Sequence, residues 1–415
     1  MENAGGSQAP RCVVDAVRDH MLHSYAQLGA GYAASNRATK TVDEAHDVIK
    51  TFMNAHGVGE VVLGHSSSQL FAMLADCYRR CKLVRPGDEI IIHEAAHEAN
   101  AGPWVRLAEE TGATLQVWRI SRTAPYSSSP AELHALLTPR TKILALVHVS
   151  NLLGEVLDLP ELMRLVRSSP AGKSVKVVAD GVAYAPHLAI DVAEWGVDWY
   201  GFSPYKTWGP HMGALYGSHA AFTQLENGGP NHFWIPGNEV PYKFELGGVS
   251  HEGCAGLVAL SQYLRVMASG ADSKGTDMAA NGKAGTLTRS TVDGAYAHFA
   301  AMEAPLQERL LSYLLTKPCV SIFGGCHSRT GERVPTISFT HATKPPSQIA
   351  AAIQAAGFAV RHGHNYAVRP LQALAADRPD DWPFGWEEGV VRISMLHYNT
   401  PAEVENLVAA LEGIL

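Results

Sequence analysis

The sequence predicts an α/β fold made of two lobes. Short aliphatic and β-branched runs, such as residues 142–149 and 175–179, alternate with segments whose apolar residues recur at helical spacing. The chain has 415 residues, which is more than a single hydrophobic core usually holds, so a second lobe is expected. Hydrophobic residues make up 46% and charged residues 18% of the chain, as in an ordinary water-soluble globular protein.

Charge and hydropathy limit the kinds of molecule that this protein is expected to bind. The net charge is −7 and no basic run exceeds Arg79-Arg80, which gives no reason to expect nucleic acid. No apolar segment approaches the roughly 20 residues that span a bilayer. No basic-then-apolar leader follows Met1, so the expected location is the cytoplasm. The six cysteines are scattered without a Cys-x-x-Cys pair, so we expect neither a disulfide framework nor a cysteine metal site.

The first part of the chain is typical of helices followed by a strand. Apolar spacing predicts helices over residues 9–28 and 41–56, with Gly29-Ala30-Gly31-Tyr32 as a turn between them. A short strand at 60–64 then leads through His65-Ser66-Ser67-Ser68 into another helix. A serine-rich turn that opens a helix offers N–H and hydroxyl donors to an anion, although it can equally be a simple N-cap.

Strands and a short helix continue through the centre of the chain. The predicted strands are 89–93, 113–120, 142–149 and 175–179, and the predicted helix is 131–137. Asn151 follows one of these strands, and Asp180 ends the next. Because ligands collect at the carboxyl ends of strands in an open α/β sheet, both side chains are expected to face one pocket.

The string His93-Glu94-Ala95-Ala96-His97 has the spacing of a zinc-protease motif. That motif needs a continuous helix, whereas Ile90-Ile91-Ile92 runs as a strand directly into His93. We therefore expect no metal site.

The last part of the chain predicts a second set of helices and strands. The helices are 258–267, 297–316 and 347–356, the strands are 319–323, 334–339 and 390–394, and residues 269–291 are a Gly/Ser/Thr/Ala-rich loop. Arg392 lies in an otherwise apolar strand. Its planar guanidinium suits a carboxylate ligand, and a structural ion pair is the alternative.

An acid and a lysine stand out at the centre of the chain. Asp180 ends its strand, residues 190–200 predict a helix and then a strand, and Lys206 lies between Tyr205 and Trp208 on a Gly/Pro-rich turn. Singly, such an acid is most often a capping residue and such a lysine a surface residue. Together they are what pyridoxal phosphate (PLP) requires. The lysine forms an imine with the aldehyde, and the carboxylate keeps the pyridine nitrogen protonated.

The motifs around these residues resemble the class V aminotransferase superfamily, whose members include cysteine desulfurases and isopenicillin-N-epimerase-like proteins. The likeness rests on DGVAYAPH at 180–187 and FSPYKTWGPH at 202–211, and runs from Asn3-Ala4-Gly5-Gly6 to His397-Tyr398-Asn399-Thr400. It is greatest to the branch that holds an ergothioneine C–S lyase, a ustiloxin decarboxylative aldolase and a loline-pathway enzyme. In similar proteins the first motif follows a short leader, so the natural start is expected upstream.

This resemblance implies the fold type I of PLP-dependent transferases, with a mostly parallel seven-stranded sheet between helices and a smaller α/β C-terminal domain. The implied PLP-binding domain is 15–268, the small domain is 1–14 plus 296–415, and 269–295 is a flexible connecting loop. Gly248, in a motif that reaches a neighbouring subunit's phosphate, implies a homodimer with sites at the interface.

The resemblance also assigns roles to individual residues. Lys206, Asp180 and His97 are the catalytic set, with His97 stacked on the pyridine ring. The cofactor-binding set is Ser66, Ser67, His97, Asn151, Asp180, Ser203, Tyr205, Lys206 and Gly248. The substrate-binding set is Arg392, which grips the α-carboxylate, together with Asn151, Tyr366 and Tyr32, whose loop lies over the substrate unless it is a plain connector.

The chain departs from cysteine desulfurases at the loop that follows Arg361. The position of the sulfur-accepting cysteine is Tyr366, and no cysteine lies between residue 327 and the end. The glutamine that usually contacts the PLP hydroxyl is Ala183. Tyr366 and Tyr184 are candidate proton donors or pocket walls.

We therefore expect a PLP-dependent enzyme that takes an α-amino acid into an external aldimine. Elimination, decarboxylation or β/γ-substitution in specialised metabolism is the first expectation, and transamination or epimerisation the alternative. Desulfurase activity is not expected, because the sulfur acceptor is absent. A non-catalytic PLP sensor is the least favoured class, since no helix-turn-helix or basic arm is present.

Overall fold

The computed structural model describes residues 1–172, 174–270 and 286–415. Most of the predicted connecting loop, residues 269–295, therefore lies outside the described residues. Within them the helices are α1 Arg11–His23, α2 Ala33–Met53, α3 Ser67–Arg80, α4 Glu98–Thr111, α5 Pro130–Leu136, α6 Leu159–Ser168, α7 Val192–Trp195, α8 His219–Gln224, α9 His251–Ala268, α10 Arg289–Leu314, α11 Pro346–Ala355, α12 Val368–Asp377, α13 Gly385–Glu388 and α14 Pro401–Ile414. The strands are β1 Gly59–Gly64, β2 Glu89–His93, β3 Thr114–Trp118, β4 Thr141–Val147, β5 Lys176–Asp180, β6 Trp199–Phe202, β7 Gly213–Ser218, β8 Val320–Phe323, β9 Thr336–His341, β10 Arg361–Gly363 and β11 Val390–Ser394.

The strands form two sheets. The larger has seven strands in the order β1-β7-β6-β5-β4-β2-β3, and the smaller has the order β10-β11-β9-β8. Strands β3, β2, β4 and β5 pair in parallel, whereas β1 and β6 are antiparallel to β7. The predicted α/β class with a mostly parallel seven-stranded sheet is confirmed.

The chain divides into two compact units. The first comprises Met1–Gly6, Val84–His187 and Phe299–Leu415, and the second comprises Ser7–Leu83 and Leu188–His298. Strands β2 to β5 and the whole small sheet belong to the first unit, and β1, β6 and β7 to the second. The domain limits implied by the family resemblance stay a prediction.

The first unit has a core on each of its sheets. Strands β2, β4 and β5 are buried along almost their whole length, as expected for parallel strands covered on both faces. On the small sheet, Ile337, Phe339 and Ile393 pack with residues of α10, α11 and α14 in one apolar cluster. Removing these side chains from water is the main stabilising contribution of the unit.

The second unit is organised around aromatic side chains. Phe52 of α2 stacks on Phe202 of β6 at 5.3 Å between ring centroids. Trp199 in the same strand donates its indole N–H to the Tyr78 hydroxyl of α3 at 3.0 Å. Both polar atoms of this buried pair are therefore satisfied.

Several predicted boundaries differ from the structure. The helix predicted over 9–28 ends at His23, because Ser24 leaves the helical conformation with a φ of −139°. The helix predicted over 41–56 begins earlier, at Ala33, and ends at Met53, where Asn54 takes the left-handed conformation. The predicted 269–291 loop overlaps the start of α10 at Arg289. Each error lies at an element end, where capping residues outweigh apolar spacing.

Other helices were not predicted, among them α6, α12 and α14. Helix α14 carries the clearest missed signal, because Thr400 and Glu403 form a capping box at its start. In the part of the chain that the structure describes, no helix combines the length and apolarity needed to cross a bilayer.

Candidate active site

The first unit places an acid and an amide at one edge of its parallel strands. Asp180 ends β5 in register with Val147 at the end of β4, so both strands present their carboxyl ends together. The Asp180 carboxylate is buried and accepts a hydrogen bond from the Val182 N–H at 2.9 Å. A carboxylate is the group that a protonated ring nitrogen needs as its partner.

His148 and Tyr184 lie beside this acid. The His148 backbone N–H donates to the Asp180 backbone carbonyl oxygen at 2.8 Å. The rings of His148 and Tyr184 stack with their centroids 3.7 Å apart. Burial lowers the pKa of His148 well below its ordinary value, so the imidazole is neutral. Sequence reasoning missed His148, whose only signal was its position between an apolar strand and Asn151.

Asn151 and Arg392 meet in the same unit. The Asn151 amide nitrogen donates to the Asn365 carbonyl oxygen at 2.8 Å, and Arg392 Nη1 donates to the Asn151 carbonyl oxygen at 3.3 Å. Among the described residues, the buried Oδ1 of Asn151 and Nε of Arg392 have no hydrogen-bond partner. A buried acceptor and a buried cationic donor left open are costly unless a ligand completes them.

His97 and Tyr366 are also brought together. Their ring centroids lie 5.4 Å apart, and the Glu98 N–H donates to the Tyr366 carbonyl oxygen at 2.9 Å. His97 caps α4 by accepting the Ala99 N–H on Nδ1 at 3.0 Å, which places the proton of a neutral ring on Nε2. Since β2 ends at His93 and α4 begins at Glu98, the two histidines do not share a helix, and the zinc-protease geometry is absent.

The Tyr366 backbone is strained. Asn365 and Tyr366 both have positive φ, at 47° and 63°, in a region that a bulky aromatic residue rarely occupies. The Tyr366 backbone N–H donates to His364 Nδ1 at 3.1 Å, and the residue is 54% exposed. Strain that the surroundings impose on a partly exposed residue is typical of functional loops.

In the second unit, Ser67 and Ser203 are joined at the opening of α3. Their buried hydroxyls are 2.8 Å apart, and the Ser66 side chain caps the helix by accepting the Gln69 N–H at 3.1 Å. Gly213 of β7 lies directly against the Ser66-Ser67 backbone, where no side chain would fit. The turn is therefore held in place, with its helix N-terminus suited to an anion such as a phosphate.

Lys206 lies on a tight turn next to this pair. The 3-10 turn Pro204–Lys206 follows Ser203, and the Lys206 N–H donates to the Ser203 carbonyl oxygen at 3.0 Å. The neighbouring Tyr205 ring stacks on His211 at 4.4 Å. Ser203 thus links the serine turn and the lysine through its side chain and its backbone.

Ser7 holds the lysine turn and was not predicted. Its hydroxyl donates to the Tyr205 carbonyl oxygen at 3.0 Å and accepts the Trp208 N–H at 2.7 Å. Trp208 needs this support, because it is fully buried and has a φ of 64°. The sequence offered only a serine after two glycines.

Gly248 and Tyr32 have less defined surroundings. Gly248 has a φ of 85°, and its N–H donates to the Glu245 carbonyl oxygen at 3.0 Å, so that bond would have to open for a phosphate contact. Tyr32 is the N-terminal flank of α2 and is 54% exposed. Their roles toward cofactor and substrate stay predictions.

The family model for aminotransferase class-V matches residues 1–287 and 289–407. The chain belongs to the class-V aminotransferase family. It is 34% identical over 419 residues to an aminotransferase-like protein, FGM3, of Gibberella zeae, covering 100% of this chain and 94% of the relative. It is 28% identical to a cysteine desulfurase of Dickeya dadantii, covering 100% of this chain and 91% of that protein.

Among solved structures, a cysteine desulfurase from Thermococcus onnurineus superposes with a TM-score of 0.79 at 21% identity, covering 99% of this chain and 93% of that one. This likeness confirms the predicted fold type I. Because family members depend on PLP, this class-V aminotransferase homologue is a PLP-dependent enzyme, as predicted.

Each unit, taken by itself, has residues of a kind that this cofactor requires. The first unit supplies the buried Asp180 carboxylate and the open polar atoms of Asn151 and Arg392. The second unit supplies the anchored serine turn and Lys206. The roles of the individual residues toward the cofactor stay predictions.

Proposed function

We propose that this enzyme carries out a lyase or carbon-bond-forming reaction on an α-amino acid, through elimination, decarboxylation or β/γ-substitution in specialised metabolism. The proposal is supported by Tyr366, which occupies the position at which cysteine desulfurases carry their sulfur-accepting cysteine. A phenol can donate or accept a proton but cannot hold a persulfide sulfur. Persulfide transfer through this loop is therefore not proposed.

The substrate's carboxylate is assigned to Arg392, and Asn151 is assigned to a donor group of the bound ligand beside it. Arg392 is buried and has an open Nε, and the adjacent Asn151 Oδ1 can accept a hydrogen bond from an ammonium or hydroxyl group. Burial lowers the pKa of Arg392 from its ordinary value, yet a guanidinium stays charged at neutral pH. The pair therefore offers complementary charge and polarity to an amino-acid ligand.

Lys206 and Asp180 are assigned to proton handling. When bound, PLP supplies an electron sink that stabilises negative charge at Cα. Lys206 is the group proposed to move the proton at Cα, and the Asp180 carboxylate is proposed to hold the proton on the ring nitrogen. His97 would cover the ring, since its own orientation is fixed by the hydrogen bond from Ala99.

The test begins with the purified protein. Lys206→Ala should remove the lysine-dependent visible absorbance of the bound cofactor, and an unchanged spectrum would contradict the assignment. A screen of amino acids for release of pyruvate, ammonia, sulfide or CO2 should then detect a product. Transfer of persulfide sulfur from cysteine to a thiol acceptor as the main outcome would refute the proposal.

A class-V aminotransferase or epimerase is the second candidate, favoured by the aminotransferase-like description of the Gibberella zeae relative. Transamination would convert the cofactor to its amine form and leave a keto acid. Epimerisation would change the optical rotation of the amino acid without releasing pyruvate, ammonia, sulfide or CO2. Each outcome is distinct from that of a lyase.

We further propose a homodimer that uses the second unit. Phe233, Trp234, Tyr242 and Leu246 expose apolar side chains close in sequence to Gly248, with exposed fractions of 106%, 75%, 40% and 59%. Contiguous exposed aromatic residues are typical of protein interfaces. Light scattering of the purified protein should give twice the chain mass of 44.6 kDa, and Trp234→Glu should reduce it to one.

A further inference from the structure

Two arginines of the first unit face each other across the small sheet. Arg361 of β10 and Arg392 of β11 are directly opposite in the antiparallel register. Like charges in this position repel unless a counter-ion neutralises them. The carboxylate of Glu2 takes that place, with Oε1 at 3.1 Å from Arg392 Nη2 and 3.7 Å from Arg361 Nη1.

The N-terminal segment holds Glu2 in this position. The Ala4 N–H donates to the Ser394 hydroxyl at 2.8 Å, and the Asn3 amide donates to the Ser394 carbonyl oxygen at 3.0 Å. Gly5 leaves room for the carboxylate, because a Cβ at this residue would lie 2.5 Å from Glu2 Oε1. The segment is therefore fixed to β11 next to the arginine.

The donors of Arg392 are only partly used. Nη2 faces both oxygens of Glu2, at 3.1 and 3.4 Å, and Nη1 donates to the Asn151 carbonyl oxygen. Nε has no partner in the described parts of the chain. A carboxylate that binds a guanidinium side-on uses Nε together with Nη2. A substrate carboxylate that binds side-on would therefore compete with Glu2 for Nη2 of Arg392.

The two partners differ in accessibility. The Glu2 side chain is 24% exposed, whereas that of Arg392 is 3% exposed. Glu2 can move toward water at small cost, while Arg392 cannot leave its buried position without losing its hydrogen bonds. Exchange of one carboxylate for another at Arg392 would thus proceed by movement of Glu2.

We propose that Glu2 is an internal competitor for the carboxylate site on Arg392 and so sets the affinity of the enzyme for its substrate. The inference rests on the proposed function, which assigns the substrate carboxylate to Arg392. The apparent association constant is then the intrinsic association constant multiplied by the fraction of molecules in which Glu2 has released the guanidinium. Ligands without a carboxylate are insensitive to Glu2.

Two substitutions remove the competitor in different ways. Glu2→Gln keeps the side-chain shape and removes its charge. Gly5→Ala keeps the charge and pushes the carboxylate aside, and it is compatible with the backbone because Gly5 lies in an ordinary 3-10 turn. Glu405→Gln is the matched control, since it breaks another arginine–glutamate pair, with Arg309 at 2.6 Å, that contacts neither Arg361 nor Arg392.

The probes are propionate and its uncharged analogue propionamide, with binding to the cofactor-loaded enzyme measured by calorimetry. Both Glu2→Gln and Gly5→Ala should bind propionate about fivefold or more tightly than the wild type. Propionamide affinity should stay within about twofold, as should propionate affinity in Glu405→Gln. For a turned-over amino acid, KM should fall in the same ratio while kcat stays constant.

Weaker propionate binding in both variants would mean that Glu2 positions Arg392, and unchanged binding would mean that Glu2 does not affect Arg392. Either result would overturn the competitor role of Glu2. Arg392→Gln separates this failure from failure of the proposed function. Loss of propionate binding in Arg392→Gln, without a gain in the other two variants, would overturn the competitor alone. Retained binding in Arg392→Gln would overturn both assignments.

Discussion

Replacing Gly213 with alanine tests the serine turn as the cofactor's phosphate site. A Cβ on this β7 residue would lie 2.5 Å from Ser67 N and 2.6 Å from Ser66 O. Ordinary contacts are about 3.5 Å or longer, so the turn must shift by about 1 Å. The obstacle is backbone, which cannot rotate away as a side chain can.

Two effects of Gly213→Ala are expected. Overpacking should lower the free energy of unfolding by about 1–3 kcal/mol. The displaced N–H donors should weaken PLP binding by at least about tenfold, because one hydrogen bond to a charged group is worth about 1.5–3 kcal/mol. The assay is titration of cofactor-free protein with PLP, together with thermal unfolding.

Gly201→Ala is the matched control on the neighbouring strand. Its Cβ would lie 2.5 Å from Phe71 Cζ in the apolar core and does not touch the serine turn. We expect a comparable loss of stability with PLP affinity close to that of the wild type. If both variants bound PLP equally well, the serine turn would not be the phosphate site.

Three further predictions follow from single contacts. Tyr366→Phe should lower kcat about 100-fold with little change in KM if the phenol transfers a proton, and an unchanged kcat would leave Tyr366 as a pocket wall. Burial lowers the pKa of His93 from 6.5 to about 3, so stability present above pH 6.5 is lost as the pH falls. Urea unfolding should show that the free energy of unfolding falls by about 2 kcal/mol between pH 6.5 and pH 5. This decrease should be absent in His93→Phe, and an equal pH dependence in both proteins would contradict the prediction. Thr400→Ala should lower the free energy of unfolding by about 1 kcal/mol through loss of the capping box, and an unaltered urea midpoint would count against it.

The fold class was predictable because buried parallel strands leave a strong local trace. The β4 segment is apolar almost throughout and is buried on both faces, so its sequence alone indicates its environment. Element ends were less predictable. Helix α1 ends at His23 and α2 begins at Ala33 because Ser24 and Tyr32 leave the helical backbone conformation, a change that apolar spacing does not record.

Candidate site residues could be predicted only where residue types combine into a chemically specific set. Lys206 and Asp180 could be singled out because together they are what PLP requires, and Arg392 because it lies in an otherwise apolar strand. Ser7 and Glu2 could not, because nothing in their immediate sequence shows which distant backbone or guanidinium they contact.

By itself the sequence determined the α/β class and the presence of tyrosine, not cysteine, at position 366, and it predicted the roles of Asp180 and Lys206. These properties depend on residue identity and on neighbours within a few positions. Tertiary structure alone decided that Glu2 lies on Arg392, that Ser7 supports the lysine turn, and that Asn151 keeps an open acceptor. Such contacts join residues as much as 390 positions apart, so they arise only when folding brings distant strands together.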